Sequence, residues 1–277
     1  MSSDPMPRLV GGDYVKRHKL STRIWHWISA GIMGVMLMSG LLIFNAHPRL
    51  YWGIAGANYD PAWLEIGAQE EQGYLRIAGT ELTTTGLLGI SSGPNNSVAK
   101  RAFPSWATLP SYFDLSAARR WHLSFAWLFA VGTLLFGIWS ILNGHLRNKL
   151  MPRLSELSPK NIWTECKDHV RFRFPCGEDA CHYNAIQKIV YLGVTAGLIP
   201  IIILSGLTMS PWINAVIPWL LDLFGGRQSA RSIHFIAAFL IVLFVVVHLL
   251  MVIVSGPINE LRSMITGWYR LPKERKK

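Results

Sequence analysis

Charge is what this sequence has least of. Lys, Arg, Asp and Glu make up 16% of its 277 residues, against about 25% in soluble globular domains. With 51% hydrophobic residues, it cannot clothe a soluble domain of this size, and a soluble enzyme is excluded. Cysteine is scarce too. The three present, Cys166, Cys176 and Cys181, fall in one inter-span loop. Free thiols are the default there if that loop faces a reducing compartment. Cys176-x4-Cys181-His182 lacks the spacing of a covalent c-type haem site, and a metal site at this spacing stays open. No cleavable signal is expected, because the N-terminus is polar and Pro-containing and the first apolar run has span length without a small-residue cleavage site. Nor does any nucleophile, acid–base dyad or metal-cluster pattern suggest bond-making chemistry.

What is there is four apolar runs: Ile24–Phe44, Trp121–Leu142, Ile186–Leu207 and Ile233–Val254. Each has about 20 residues, enough to cross a bilayer once. The expected fold is an all-α membrane protein, a four-transmembrane-helix bundle over 1–277 with a long outer loop between helices 1 and 2. The net charge of +11 would suggest nucleic acid for a soluble protein; here it tracks topology instead. Of 27 basic residues, 19 lie in the N-terminal segment, the loop between the second and third runs through Lys188, and the C-terminal tail. The positive-inside rule then puts both termini and 143–185 in the cytoplasm. Residues 45–120 and 208–231 fall outside. The 45–120 segment has aromatics, Gly and Pro but no long helical pattern, and reads as a small ordered cap that docks something outside. The tail reads as a short amphipathic helix on the inner surface, with Trp268 and Tyr269 at the interface. Pro218–Phe224 reads as a short interfacial helix ended by Gly225-Gly226.

The last run organises the rest. It holds no charge but two histidines, His234 and His248, fourteen residues apart. Fourteen steps of about 100° bring the second within about 40° of the first, and about 1.5 Å per residue separates them by roughly 21 Å. One sits near each surface of a hydrocarbon core about 30 Å thick. Polar side chains inside a membrane helix are costly and mark function. Each has a partner at matching depth. His122 follows Arg119 and Arg120 into the second run, as His234 follows Arg231 into the fourth. His26 follows Arg23 into the first run, on the side toward which His248 lies. Four histidines thus form two pairs, His122 with His234 and His26 with His248. Two bis-histidine haems need this arrangement; the bland alternative is buried histidines bonded to neighbouring helices. Arg23, Arg120 and Arg231 suit haem propionates as well as interface anchoring. Gly31, Gly34 and Gly40 admit either another helix backbone or a flat macrocycle. Gly193 and Gly197 form a GxxxG, which suits helix packing. His18, His47, His145, His169 and His182 lie in tails or loops and read as surface histidines.

RIWHW, RRWHLSFAW, HYNAIQK and IHF…VVVHL together resemble the di-haem cytochrome b subunits of bacterial respiratory oxidoreductases. These include the membrane subunits of nickel–iron hydrogenase, formate dehydrogenase and thiosulfate reductase, and the wider bacterial cytochrome b561 group. The resemblance covers all four spans. It implies two haem b groups ligated by His26, His122, His234 and His248, a quinone as diffusible redox substrate near the cytoplasmic haem, and the bacterial inner membrane as location. It also implies a periplasmic oxidoreductase partner of molybdopterin or hydrogenase type. The LFGGRQSARSIHF stretch favours the molybdopterin type. Asn184 and Gln187 match a quinone-bordering YNAxQK motif of the formate dehydrogenase subunit, and their carboxamides can donate to and accept from quinone carbonyls. A helix cap is the competing role. The function implied is electron transfer between the quinone pool and that partner. The alternative is a stand-alone superoxide:quinone oxidoreductase of the small cytochrome b561 type, which the long outer loop disfavours. A homodimer is compatible with either.

Overall fold

The computed structural model describes residues 12–93, 97–144, 146, 151–171 and 184–271. In chain order these form β1 (Tyr14–Lys16), α1 (Leu20–Asn45), β2 (Arg49–Leu50), β3 (Leu64–Gln69), β4 (Gln72–Ile77), β5 (Thr80–Thr83), β6 (Ile90–Ser92) and β7 (Val98–Lys100). Then come α2 (Leu115–Leu142), α3 (Pro159–Val170), α4 (Ala185–Leu192), α5 (Ile199–Thr208), α6 (Pro211–Val216), α7 (Pro218–Leu223), α8 (Arg227–Ser255), α9 (Pro257–Thr266) and β8 (Trp268–Arg270). Four helical stretches are long and apolar enough to cross a membrane: Leu20–Asn45, Leu115–Leu142, Ala185–Thr208 and Arg227–Ser255. The protein is a multi-pass membrane protein. The third span is not one regular helix. Pro200 has no N–H to offer the preceding turn, and the chain widens into a π-helix over Gly193–Leu198 before α5 resumes.

The described residues divide into two compact units, and the division falls within the spans. One unit holds Ile28–Leu134 and Leu198–Leu240. Its segment between α1 and α2 departs from expectation: the long loop contains an antiparallel sheet in the order β2-β3-β4-β5 and a separate β6–β7 pair. The all-α expectation is corrected accordingly: the segment, called the cap below, is ordered around these sheets. The strands escape a search for alternation because they are short, and because β3 buries Leu64, Glu65 and Ile66 in succession. Their turns escape too. Glu70 between β3 and β4 has φ +54°, and Ala78 between β4 and β5 has φ +47° beside Gly79 at +85°. The latter has the two positive φ values of a type I′ hairpin without the usual Asn-Gly.

Leu50, Leu64, Ile66, Ala102 and Phe44 form the cap's core. At its centre the buried Glu65 carboxylate accepts from Arg49 at 2.6 Å, Arg76 at 3.1 Å and the Tyr74 hydroxyl at 2.7 Å. Burial alone would raise this carboxyl's pKa, but the Tyr74 hydroxyl and the two guanidinium groups outweigh it and hold it below the usual range. The cap is tied to both spans that flank it in space. Asn45 at the end of α1 exchanges hydrogen bonds with the backbone of Phe103 at 2.7 and 3.1 Å. At the start of α8, Ser232 receives the Trp63 indole N–H at 2.9 Å and donates to the Tyr51 carbonyl at 2.6 Å. Arg231 donates to the His47 carbonyl, and Ser229 accepts from the Gly53 amide at 2.7 Å.

The other unit gathers the start of α1, Leu135–Gly197 and the chain from Ile241. Here β1 pairs antiparallel with β8, matching Val15 with Tyr269. The expected amphipathic helix is present as α9, but Tyr269 is buried in this two-stranded sheet. Arg17 pairs with Glu260 at 3.3 Å and lies over the Tyr269 ring. Gly267 ends α9 at φ +89°, and a Cβ there would come within 2.8 Å of the Arg23 guanidinium. Both facts demand glycine. Around α4, Lys188 pairs with Glu156 at 2.8 Å, and Glu165 accepts the Ile186 amide at 3.0 Å.

Candidate functional site

All four span histidines meet as the depth argument paired them. His26 and His248 have ring centroids 6.3 Å apart at 57°. His122 and His234 also stand 6.3 Å apart, at 68°. This distance has a chemical meaning. An imidazole–metal bond is about 2.0–2.1 Å, and a ring nitrogen lies roughly 1.1 Å from the ring centre, so two imidazoles in line on one metal ion have centroids about 6.3 Å apart. The angle between the planes is free, because each ring can rotate about its own bond to the metal. Among the described residues no three His, Cys, Asp or Glu side chains converge as a metal site.

The tautomer of the second pair is fixed by its neighbours. His122 Nδ1 lies 3.0 Å from the Met36 carbonyl, and His234 Nδ1 lies 3.0 Å from the Ile202 carbonyl. A carbonyl oxygen only accepts, so Nδ1 carries the proton in both rings and Nε2 is left with its lone pair. That is the nitrogen a haem iron takes. Each ring also touches a serine, Ser39 at 3.2 Å and Ser205 at 3.1 Å. A Cβ added at Gly40 or Gly206 would come 3.3 or 3.2 Å from the Cε1 of His122 or His234, so both helices leave room for a ring. In the first pair, Trp27 meets the His26 ring edge-on at 5.1 Å and Phe244 stacks on His248 at 5.8 Å. Among the described residues, a Cβ on Gly31 or Gly34 would meet nothing within 4 Å. The same holds for Gly193 and Gly197 among the described residues. The residues present fit a haem at each pair.

The other expected site residues are placed as follows. Arg23 donates to the Ile265 and Thr266 carbonyls at 2.7 and 2.9 Å, at the end of α9, which the Trp27 indole also reaches through Met264 at 3.2 Å. Arg120 is exposed and donates to Ser116 at 2.8 Å. Arg231 stands one turn before His234 with its guanidinium on the His47 carbonyl and near the Phe44 ring. Asn184 caps α4. Its side-chain oxygen accepts from the Gln187 amide at 3.0 Å, and the Gln187 side-chain oxygen accepts from the Asn184 amide at 3.4 Å. His145, Cys176, Cys181 and His182 lie outside the described residues, as does the His169 side chain. Cys166 is a free thiol. Sequence reasoning missed Ser39, Ser205 and Gly206; the signal available was Ser-Gly-Leu occurring twice, at 39–41 and 205–207.

Apolar spans presenting paired imidazoles at this spacing define a membrane cytochrome of b type, an electron-transfer protein. The chain belongs to the prokaryotic cytochrome b561 family, whose sequence model matches residues 17–267. Membership implies haem b. The chain is also similar to the putative protein-methionine-sulfoxide reductase subunit YedZ1 of Azospira oryzae, with 37% identity over 153 residues, covering 55% of this chain and 72% of the relative. No solved structure matches it.

Proposed function

We propose that the chain is a di-haem membrane subunit that carries electrons between the quinone pool and a catalytic protein docked on the 45–120 cap. The observation that carries this is the equal 6.3 Å spacing of two independent histidine pairs. A buried histidine bonded to a neighbouring helix has no reason to face another histidine at the spacing of a shared metal, let alone twice. His26 with His248 and His122 with His234 are the axial ligands in this reading. Haem, when bound, supplies a one-electron couple at each pair.

The chain's own residues do the rest. Met36 and Ile202 hold protons on Nδ1 of His122 and His234 and so keep Nε2 basic. Arg231, and with it Arg120, supplies positive charge for propionate groups on one side; Arg23 does so on the other with the donor capacity left beyond α9. Asn184 and Gln187 have their side-chain oxygens engaged with each other's backbone, which leaves two carboxamide NH2 groups to donate to quinone carbonyls. The basic residues near the termini favour a cytoplasmic location for both, with the cap in the periplasm of a bacterial inner membrane. The likeness to a methionine-sulfoxide reductase subunit favours a partner that reduces oxidised methionine in proteins, with electrons leaving the membrane toward it.

Pyridine haemochrome analysis of the purified chain is the deciding experiment. Two haem b per chain are expected, and one or none would refute the assignment. Co-purification of a soluble oxidoreductase that is lost on deleting residues 64–83 would support the docking role of the cap.

A further inference from the structure

We propose that Ser39 and Ser205 are a matched pair of positioning residues that set the ring orientation and the redox potential of the His122/His234 site; the inference rests on that pair's assignment as haem ligands. The two serines occupy corresponding places on two different spans. Each is fully buried. Each donates its own proton along its helix, Ser39 to the Val35 carbonyl and Ser205 to the Ile201 carbonyl, both at 2.7 Å. That bond fixes the hydroxyl rotor and turns a lone pair outward. Facing it is a histidine Nδ1–H, at 3.2 Å for Ser39 and 3.1 Å for Ser205. The same N–H reaches the carbonyl three residues before the serine, Met36 or Ile202, at 3.0 Å in both cases. The residue after each serine is the glycine on which the ring's Cε1 rests.

The recurrence is the argument. Ser39 and His122 are 83 residues apart and Ser205 and His234 are 29 apart, and the chain between them folds differently in the two cases. Yet Ser-Gly on an odd-numbered span meets His on the following even-numbered span with distances equal to 0.1 Å. A serine within a helix usually serves only itself, by bonding the carbonyl one turn back. Here that bond frees an acceptor that two imidazoles use identically. The physical consequence follows from the ligand's basicity. A proton shared with two oxygens leaves more electron density on the opposite nitrogen. A more basic axial ligand favours the oxidised iron and lowers the potential. The three-centre bond also stops the ring from turning about the axis through Nε2.

The test uses the full chain in detergent, with Ser39→Ala, Ser205→Ala, the double variant, and Ser39→Thr and Ser205→Thr. Haem content is measured first, then both midpoint potentials by spectroelectrochemical titration and the low-spin ferric signals by electron paramagnetic resonance. Both Ala variants are expected to keep two haems and raise one midpoint potential. The two shifts should be similar, larger in the double variant, and reversed by Thr; the second haem should keep its potential and signal. Two bound haems with both potentials and signals unmoved in the double variant would overturn the proposal. A native chain with no haem, or one whose shifted component survives His122→Ala, would instead remove the haem assignment on which it stands. A structural role alone would lower thermal stability without moving either potential.

Discussion

The two histidine pairs reach one spacing by two constructions. His122 and His234 are held by hydrogen bonds they donate to helix carbonyls and serine hydroxyls, above glycines cut to the ring. They also lie in the unit whose β cap grips α8 at Ser229, Arg231 and Ser232, within five residues of His234. Trp27 meets the His26 ring edge-on and Phe244 stacks on the His248 ring. In the unit of His26 and His248, Arg23 and Trp27, either side of His26, hold the end of α9. The hydrogen bonds of His122 and His234 bear on tautomer and angle; the aromatic contacts of His26 and His248 bear on ring angle. The difference can be broken one site at a time.

Removing a ligand is the largest break. His26→Ala and His248→Ala should each lower haem content from two per chain to one, and so should His122→Ala and His234→Ala. The lost spectral component should be common within a pair and different between pairs. If His26→Ala and His122→Ala removed the same component, the pairing would fall.

Most of this was legible in the sequence, and the rest has physical reasons for being hidden. The spans show as unbroken apolar runs, and the histidine pairs follow from helix rise and from the basic residues at each entrance. That arithmetic needs no side-chain detail. The cap sheet does not show, because its strands have two to six residues and its turns place Glu70 and Ala78 at positive φ, where sequence patterns expect glycine or asparagine. The strand at Tyr269 is hidden because its partner strand, Tyr14–Lys16, lies some 250 residues away in the chain. The bonds of Arg23 to the end of α9 are likewise hidden in the sequence, because they join residues some 240 positions apart. The serines were missed since a serine in a helix carries no signal until the ring it faces is placed.

Loosening the cap should come next in size. Ser232→Ala leaves the Trp63 indole and the Tyr51 carbonyl without a partner in a fully buried place, at a cost of about 2–4 kcal/mol. Haem retention at His122/His234 should fall during thermal melting while His26/His248 is spared. Acid offers the same lever. Because the Glu65 pKa is lowered in the fold, its contribution is fully present above the unfolded value of about 4.3 and is lost as pH falls through the folded value. The cap should therefore melt earlier below about pH 4, a dependence Glu65→Gln abolishes.

Glycine substitutions are smaller and more selective. Gly40→Ala and Gly206→Ala place a methyl against His122 or His234 at 3.3 or 3.2 Å, an overpacking worth about 1–3 kcal/mol. Equal, partial loss of that pair's haem is expected. Gly31→Ala and Gly34→Ala meet nothing within 4 Å and should gain roughly 0.5–1 kcal/mol in helix propensity. Loss of a haem in either of the latter would show that a macrocycle fills the space beside them.

The finest comparison separates cap from quinone contact at α4. Truncating Asn184 or Gln187 to Ala would confound the two, since the reciprocal capping box is itself worth about 1 kcal/mol. Substitutions that keep the cap are cleaner. Asn184→Ser retains an N-cap acceptor, and Gln187→Glu retains the N3 acceptor of the box; both delete a carboxamide NH2. If those groups donate to a quinone carbonyl, each variant loses one hydrogen bond, about 0.5–1.5 kcal/mol or roughly two- to tenfold in affinity. The quinol KM should then rise by that factor with the haem spectrum and melting temperature unchanged. The reciprocal capping box holds both side chains at the start of α4, so the double variant should lose more than either alone. Normal KM in both cap-preserving variants, with lowered stability only in Asn184→Ala and Gln187→Ala, would make these residues a helix start and nothing more, and would send the search for the quinone elsewhere in the bundle.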